Sequence, residues 1–534
     1  MALIIILLGA GLRFYQLGQD GLWLDEIITQ TRTQRPVFNM LKWVWLHEEH
    51  PPLFYLLAYQ NRILGGSDFA VRLTSVAAGI LTIPVFIKLG RKFWGAPAGL
   101  LAGLLLALWP VHIHYSQEAR QYALLMLFTS ASMYWLYRSV TIGNTGAWLG
   151  YSIATICALY THYFSFLWII SQVVFVSLLA VLFLKKRGKA GLKSYLRKIL
   201  LPFVVSLLIA DILFLPWAPN LIIQSRRLIT GVSAPKPKDG AAFLAIIKGL
   251  ALFFSGRDVF LKTGVWALMA IGFMVGALQR RWEALLLIIA SLTIPLLMIG
   301  LISSPHFFNS RYLFPLLTPI ILLVAEALHP LLTFPSMRFK FPRRVVISGA
   351  TAIFLLVSVF FIPPIRAYYH WEKEGWHDAA RYLQAHMSPN DIILADGMLL
   401  HKSGDAARVQ FALGYYLPTK TILLVEKDAA QSLQDYPHPD AIPWVVLWYQ
   451  HRLESRDALR PDIEIHDYHF LVILELKNPS GGDLMKDTTK ELEALLQLQP
   501  LQESKPDVHA MLAEIYRALG DETRADAHAR AAEQ

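Results

Sequence analysis

The stretch PAGLLAGLLLALWPVHIHYSQEARQY, residues 97–122, decides the fold. Residues 97–113 hold no Asp, Glu, Lys or Arg. A helix of that length reaches the lower limit for crossing about 30 Å of hydrocarbon. The chain then turns polar at once, with His112, His114, Ser116, Gln117, Glu118 and Arg120. An apolar run ending in a polar cluster reads as a helix leaving a bilayer. The same kind of run recurs along the chain, near residues 2–17, 69–90, 97–113, 121–138, 147–163, 165–184, 199–218, 262–279, 283–302, 312–330 and 344–363, eleven in all. With 534 residues, 55% hydrophobic and 16% charged, the chain holds more apolar surface than a soluble domain buries. It reads as a polytopic α-helical membrane protein. The first run starts at Met1 without a basic flank or a small-residue cleavage site, which favours a signal-anchor over a cleaved signal.

Lys and Arg near span ends stay on the cytoplasmic side. An inside N-terminus puts Arg91-Lys92, Arg138, the basic cluster of residues 185–198, Arg280-Arg281 and the basic residues of 338–344 all inside. The loop 219–261 opposes this with Arg226, Arg227, Lys236, Lys238, Lys248 and Arg257, but long loops obey the rule poorly. Eleven crossings then place the tail from about 364, Asp25-Glu26 and Glu118 together on the extracytoplasmic face of the cell membrane.

The net charge of +10 falls mainly at inside loop ends, where topology and anionic lipid account for it, so nucleic acid is not expected as a partner. The single cysteine, Cys157, lies in an expected span, which leaves the outer parts to fold without disulfides. In the tail, a helix at 376–386 and β-rich runs at 392–395, 421–425, 444–448 and 470–476 predict a small α/β domain over 364–480. Over 487–534 the spacing of Leu512, Tyr516, Leu519-Gly520, Ala525, Ala529 and Ala532 predicts a helical hairpin like a single tetratricopeptide repeat. Such a hairpin either packs on its own domain or receives a protein partner.

Four polar motifs carry the chemistry, and each also has a plain structural reading. Asp25 in Leu22-Trp23-Leu24-Asp25-Glu26 suits a helix cap, and Trp23 an interfacial anchor. The following segment, with Trp43, Val44, Trp45 and Leu46, suits a helix lying on the membrane surface. His50-Pro51-Pro52-Leu53-Phe54-Tyr55 suits a helix start. In residues 112–122, Glu118 and Arg120 suit a local ion pair, and two histidines at i and i+2 are a weak zinc pattern. Arg311, at the head of a span, suits snorkelling. Four such motifs on one face of the bilayer point instead to one site. A transporter or flippase, with ionisable groups at mid-membrane and repeated halves, fits less well, since the charged groups sit at span ends and no motif is duplicated. A non-catalytic scaffold acting through its tail is the third reading.

Taken in order, Leu22-Trp-Leu-Asp-Glu26, His50-Pro-Pro-Leu53, Asp68-Phe-Ala-Val-Arg72-Leu, Tyr115-Ser-Gln-Glu-Ala-Arg120-Gln-Tyr122 and Arg311-Tyr-Leu-Phe-Pro315 resemble the family 39 type of membrane glycosyltransferase. That family has the GT-C fold and includes protein O-mannosyltransferases and lipid A aminoarabinose transferases. The resemblance covers about residues 1–365, with a first outer loop at 18–68. In the aminoarabinose branch a Lys precedes the two prolines, where this chain has His50.

The resemblance implies a polyprenyl-phosphate sugar donor and a catalytic carboxylate at Asp25. Sugar transfer needs a base for the acceptor's proton and positive groups for the departing phosphate. Asp25 suits the base, with Glu26 and Glu118 as further catalytic candidates. Arg120, Arg311 and His50 suit the phosphate, since a guanidinium fork fits phosphate oxygens. Trp23, Tyr55, Gln117, Tyr122 and Tyr312 are candidates to line the substrate pocket. The resemblance also implies inversion at the anomeric carbon, by a single base with no second carboxylate acting as nucleophile. No cofactor is certain, although Asp25 and Glu118 offer oxygen to a divalent cation such as Mg or Mn. The acceptor stays open among a protein hydroxyl, a lipid head group and a polysaccharide.

Overall fold

The computed structural model describes residues 1–48, 50–230, 259–302, 310–338, 343–371, 373–397, 405–424, 429–438, 441–448, 463–468, 471–476, 483–497 and 505–532. Lys236, Lys238, Lys248 and Arg257 of the long loop, and Asn309, lie outside the described residues. The chain forms two compact units, Met1–Leu17 with Thr29–His370, and Gly18–Ile28 with Trp371–Gln534.

The first unit is helical. Its early elements are α1 (Ala2–Phe14), the second half of α2 (Leu24–Thr33), α3 (Val37–His47), α4 (Leu53–Tyr59), α5 (Asp68–Trp94), α6 (Ala96–Leu108), α7 (Pro110–Ser116), α8 (Tyr122–Ile142), α9 (Thr145–Leu159) and α10 (Ser165–Tyr195). Every apolar run read from the sequence falls on helix. Among the described residues, six helices are long and apolar enough to cross a membrane: Asp68–Trp94, Ser165–Lys185, Gly191–Gln224, Trp282–Ile299, Arg311–Leu332 and Thr351–Tyr369. Helices Ala2–Phe14, Thr145–Leu159 and Thr263–Leu278 are apolar but shorter.

The run 97–113 is broken rather than continuous, because α6 and α7 meet at a 63° bend. Pro110 causes it. Proline has no N–H to extend the ladder and disfavours helical geometry in the residue before it, and Trp109 is accordingly extended at φ −70, ψ 116. The break strands the last carbonyls of α6. Arg13 of α1, wholly buried, takes them up: Nη1 donates to Ala107 O at 3.0 Å and Nη2 to Leu106 O at 3.1 Å. Nη2 also lies 2.6 Å from His112 Nδ1, so that ring is engaged in holding α7 against α1. Small residues bring α5 and α6 into backbone contact, since a Cβ at Gly99 would stand 2.5 Å from Ile87 O. Ile83, Phe86, Leu101, Leu105, Met126, Met133, Leu317 and Ile321 fill the core among these helices.

Among the described residues the second unit carries a five-stranded sheet, in which the first strand lies between the second and the third and the fourth forms an edge beside the fifth. Strands β1 (Ile392–Gly397), β2 (Thr421–Leu424) and β3 (Pro443–Trp448) are parallel, and β4 (Ile463–Tyr468) and β5 (Leu471–Leu476) add an antiparallel hairpin. The β4 strand was not visible as a hydrophobic run. It is an edge strand, and its Glu464, His466 and Asp467 are residues that edges tolerate. Helix Trp376–His386 forms as its pattern predicts. Helices Lys505–Ala518 and Glu522–Ala532 make a hairpin, with Gly520 at φ +78 in the turn. Met511, Leu512, Ile515, Tyr516 and Ala525 of the hairpin share one core with Leu394, Val445 and Leu474 of the sheet. The hairpin thus packs on its own sheet.

Candidate active site

The motif residues assemble in both units. In the second, α2 opens at Leu24, so Asp25 and Glu26 occupy its first turn, where carboxylates complement the helix dipole. Asp25 is half-buried and Glu26 wholly buried. Glu26 Oε2 accepts from the Trp23 N–H at 3.4 Å and faces Lys373 Nζ at 3.9 Å, so its charge is compensated inside the unit. Tyr416 fixes the entry to the helix, its hydroxyl accepting from the Leu22 N–H at 2.8 Å.

Glu374 completes this end. Its Oε2 accepts from the Leu24 N–H at 3.2 Å and from Trp376 Nε1 at 2.6 Å. Burial, with Asp25 and Glu26 nearby adding to it, outweighs those hydrogen bonds and pushes the carboxyl up to about 7. Lys373 and Glu374 escaped the sequence reading. The signal available was a charged and aromatic segment, residues 371–376, directly after the last apolar run.

In the first unit, Pro51 and Pro52 start α4, and the Leu53 N–H, unpaired within the helix, donates to Tyr160 O at 3.0 Å. That bond sets His50 beside the turn between α9 and α10, where the His50 and His162 rings are 4.8 Å apart. Arg120 is buried and its carbonyl accepts from Ser75 Oγ of α5 at 2.9 Å. Arg311, in the 3-10 helix Ser310–Leu316, lies with Cζ 5.5 Å from the Tyr122 ring centroid and 6.0 Å from that of Tyr312. The His162 ring is 6.1 Å from Tyr122 and 5.4 Å from Tyr312. His50, Arg120, Tyr122, Arg311 and Tyr312, far apart in sequence, therefore gather around a histidine that the sequence reading passed over. His162 gave only a weak signal, a single imidazole at the end of an apolar run.

Burial holds His50 well below the usual histidine range, and His162, Arg120 and Arg311 push the same way. The planar donors of Arg120 and Arg311, beside the two imidazoles, suit an anion with several oxygens.

Other motif residues are placed differently. Gln117 donates to Arg13 O at 3.1 Å and Tyr15 O at 2.7 Å and accepts from the Tyr368 hydroxyl at 2.7 Å, so its amide ties α7 to the end of α1. Tyr55 is fully buried and donates to Glu48 Oε2 at 3.0 Å. Glu118 is buried with Oε2 3.7 Å from His114 Nε2. Arg72 of the Asp68–Arg72 motif donates to Leu17 O at 2.8 Å, anchoring α5 to the chain after α1.

Comparison with known proteins bears on the fold that carries these residues. The dolichyl-phosphate-mannose-protein mannosyltransferase family model matches residues 49–218. ArnT from Cupriavidus metallidurans, in its apo state, is similar in structure with a TM-score of 0.53 at 14% identity, over 88% of this chain and 97% of that one. The same protein bound to undecaprenyl phosphate gives 0.53 at 15% identity, over 90% and 98%. The archaeal oligosaccharyltransferase AglB from Archaeoglobus fulgidus, in complex with an inhibitory peptide and a dolichol-phosphate, gives 0.51 at 10% identity, over 84% and 69%. No curated protein sequence matches the chain. Residues 49–218 match the mannosyltransferase family model and most of the chain follows the architecture of ArnT and AglB, so the fold is that of the GT-C glycosyltransferases.

Proposed function

We propose that this protein is a glycosyltransferase that moves a sugar from a polyprenyl-phosphate carrier to an acceptor on the extracytoplasmic side of the cell membrane, with inversion at the anomeric carbon. The observation that carries the reading is the gathering of Arg120, Arg311 and His50 around His162 in the first unit. ArnT bound to undecaprenyl phosphate and AglB with dolichol-phosphate support a lipid phosphate as the ligand of such a fold.

In this proposal residues 1–363 are the catalytic part, with eleven crossings and a cytoplasmic N-terminus, followed by the domain 364–480 and the hairpin 487–534. Asp25 takes the proton of the acceptor hydroxyl as its oxygen attacks the anomeric carbon. The bond from that carbon to the phosphate oxygen breaks, its electron pair going to the phosphate. The phosphate leaves with one more negative charge, which Arg120 and Arg311 stabilise. Glu26 and Glu374 hold the Asp25 turn.

Mass spectrometry of lipids that co-purify with Asp25→Asn, a form that binds donor without consuming it, tests the reading. Recovery of a polyprenyl phosphate bearing a sugar is the expected result. Bulk phospholipid alone, on folded protein, overturns it.

A further inference from the structure

The histidine that the motifs did not announce has a fixed chemistry. The Phe164 backbone N–H points at His162 Nδ1 from 3.1 Å. A backbone amide can only donate, so Nδ1 must accept and the neutral ring carries its hydrogen on Nε2. His162 is almost wholly buried, and among the described residues its Nε2 has no hydrogen-bond partner. A buried donor left unsatisfied is costly, and it signals an acceptor supplied from elsewhere.

The groups facing the ring decide what that acceptor is. Among the described residues they are His50 ahead of α4, Arg120 between α7 and α8, Tyr122 at the start of α8, Phe164 ahead of α10, and Arg311 and Tyr312 of the 3-10 helix. Two positive charges and an N–H donor suit an anionic oxygen. Protonating the ring would need its Nδ1, which the Phe164 amide already occupies.

We propose that His162 is a donor-phosphate residue, a neutral imidazole locked as the Nε2–H tautomer that gives its hydrogen bond to an oxygen of the phosphate held by Arg120 and Arg311. The inference rests on the polyprenyl-phosphate reading of this site. Its consequence is that part of the grip on the phosphate does not titrate. The ring gives a donor without adding a third charge, so the leaving phosphate is held but not trapped by excess positive charge.

The test uses the full-length protein in nanodiscs and two probes, undecaprenyl phosphate and its methyl phosphodiester, which stays monoanionic across the range used. His162→Phe, which keeps a ring in place, should weaken binding of either probe by roughly 10- to 100-fold, the range for a hydrogen bond to a charged group. His162→Gln, which restores an N–H near the Nε2 position, should recover most of the loss. Wild-type affinity for the diester should be flat from about pH 5.5 to 8.

Equal binding by wild type and His162→Phe overturns the proposal, as does a Gln variant as weak as Phe, which would make the role one of shape. A diester affinity that climbs about tenfold per unit as pH falls also overturns it, and that measurement needs no variant. Wild-type protein that binds neither probe overturns the donor reading and this inference together, whereas binding with wrong variant behaviour overturns this inference alone.

Discussion

Glu374 Oε2 accepts the backbone N–H of Leu24 at 3.2 Å, so a carboxyl from the segment after the last apolar helix holds the first turn on which Asp25 stands. With its pKa raised to about 7, Glu374 keeps a proton in the folded protein that it would lose in the unfolded chain above the ordinary carboxyl range. A folded-state pKa raised in this way gives stability that is fully present below the unfolded value and fades as pH rises through the folded one. Wild-type protein should therefore melt at progressively lower temperature between about pH 5 and 8. The upper bound on the change is about 3 kcal/mol, reduced by water reaching a half-buried group. Glu374→Gln should flatten that profile. Equal slopes in the two proteins, by thermal unfolding at several pH values, would remove Glu374 as the titrating group.

Asp25→Asn should lower sugar transfer by on the order of 100- to 10,000-fold, the range for removing a general base, with unchanged yield of folded protein. Asp25 is only half-buried, so loss of its charge leaves the core untouched. Turnover at the wild-type rate would dismiss Asp25 as the base.

Arg311→Ala and Arg120→Ala should each weaken donor use by roughly 10- to 100-fold, as expected for charged hydrogen bonds to phosphate. Steady-state kinetics with a polyprenyl-phosphate sugar would measure this. Arg120 is the more buried of the two, so its variant should also lower the melting temperature.

Topology can be read by thiol labelling in a Cys157→Ser background. Ile63 is 84% exposed, in the loop expected outside, and Ile63→Cys should react with an impermeant reagent on intact cells. Asn144, in the exposed turn between α8 and α9, should yield a Cys that reacts only after the membrane is opened. The reverse pattern would invert the orientation. Ser116 is a poor probe for this purpose, being fully buried with its hydroxyl on His112 O at 2.6 Å.

The apolar runs made the helices legible, because lipid-facing and core-facing residues are alike in being apolar and their lengths are set by the bilayer. The break at Pro110 was less legible, since a proline inside an apolar run reads as easily as a tolerated kink. At the site, His50, Arg120, Tyr122, Arg311 and Tyr312 stood out through their motifs, and the structure gathers them. Gln117 and Tyr55 belong to the same motifs yet spend their polar groups on α1 and Glu48, a distinction only side-chain geometry makes. His162 and Glu374 matter through a single hydrogen bond to a backbone amide each, and a partner of that kind leaves no mark on composition or spacing.

The Arg13 clamp has a bearing on how the protein is made. The α6 carbonyls that accept from it belong to residues 93 and 94 positions further on, so α1 leaves the ribosome long before they exist. Arg13 stands at the last turn of α1, where an arginine alone can reach the interface by snorkelling. Gly9 O is the one of its partners already made when α1 is, and Leu106 O, Ala107 O and His112 take up the rest only once α6 and α7 have been inserted. Membrane assembly of this chain acquires an order of events from one residue near its beginning.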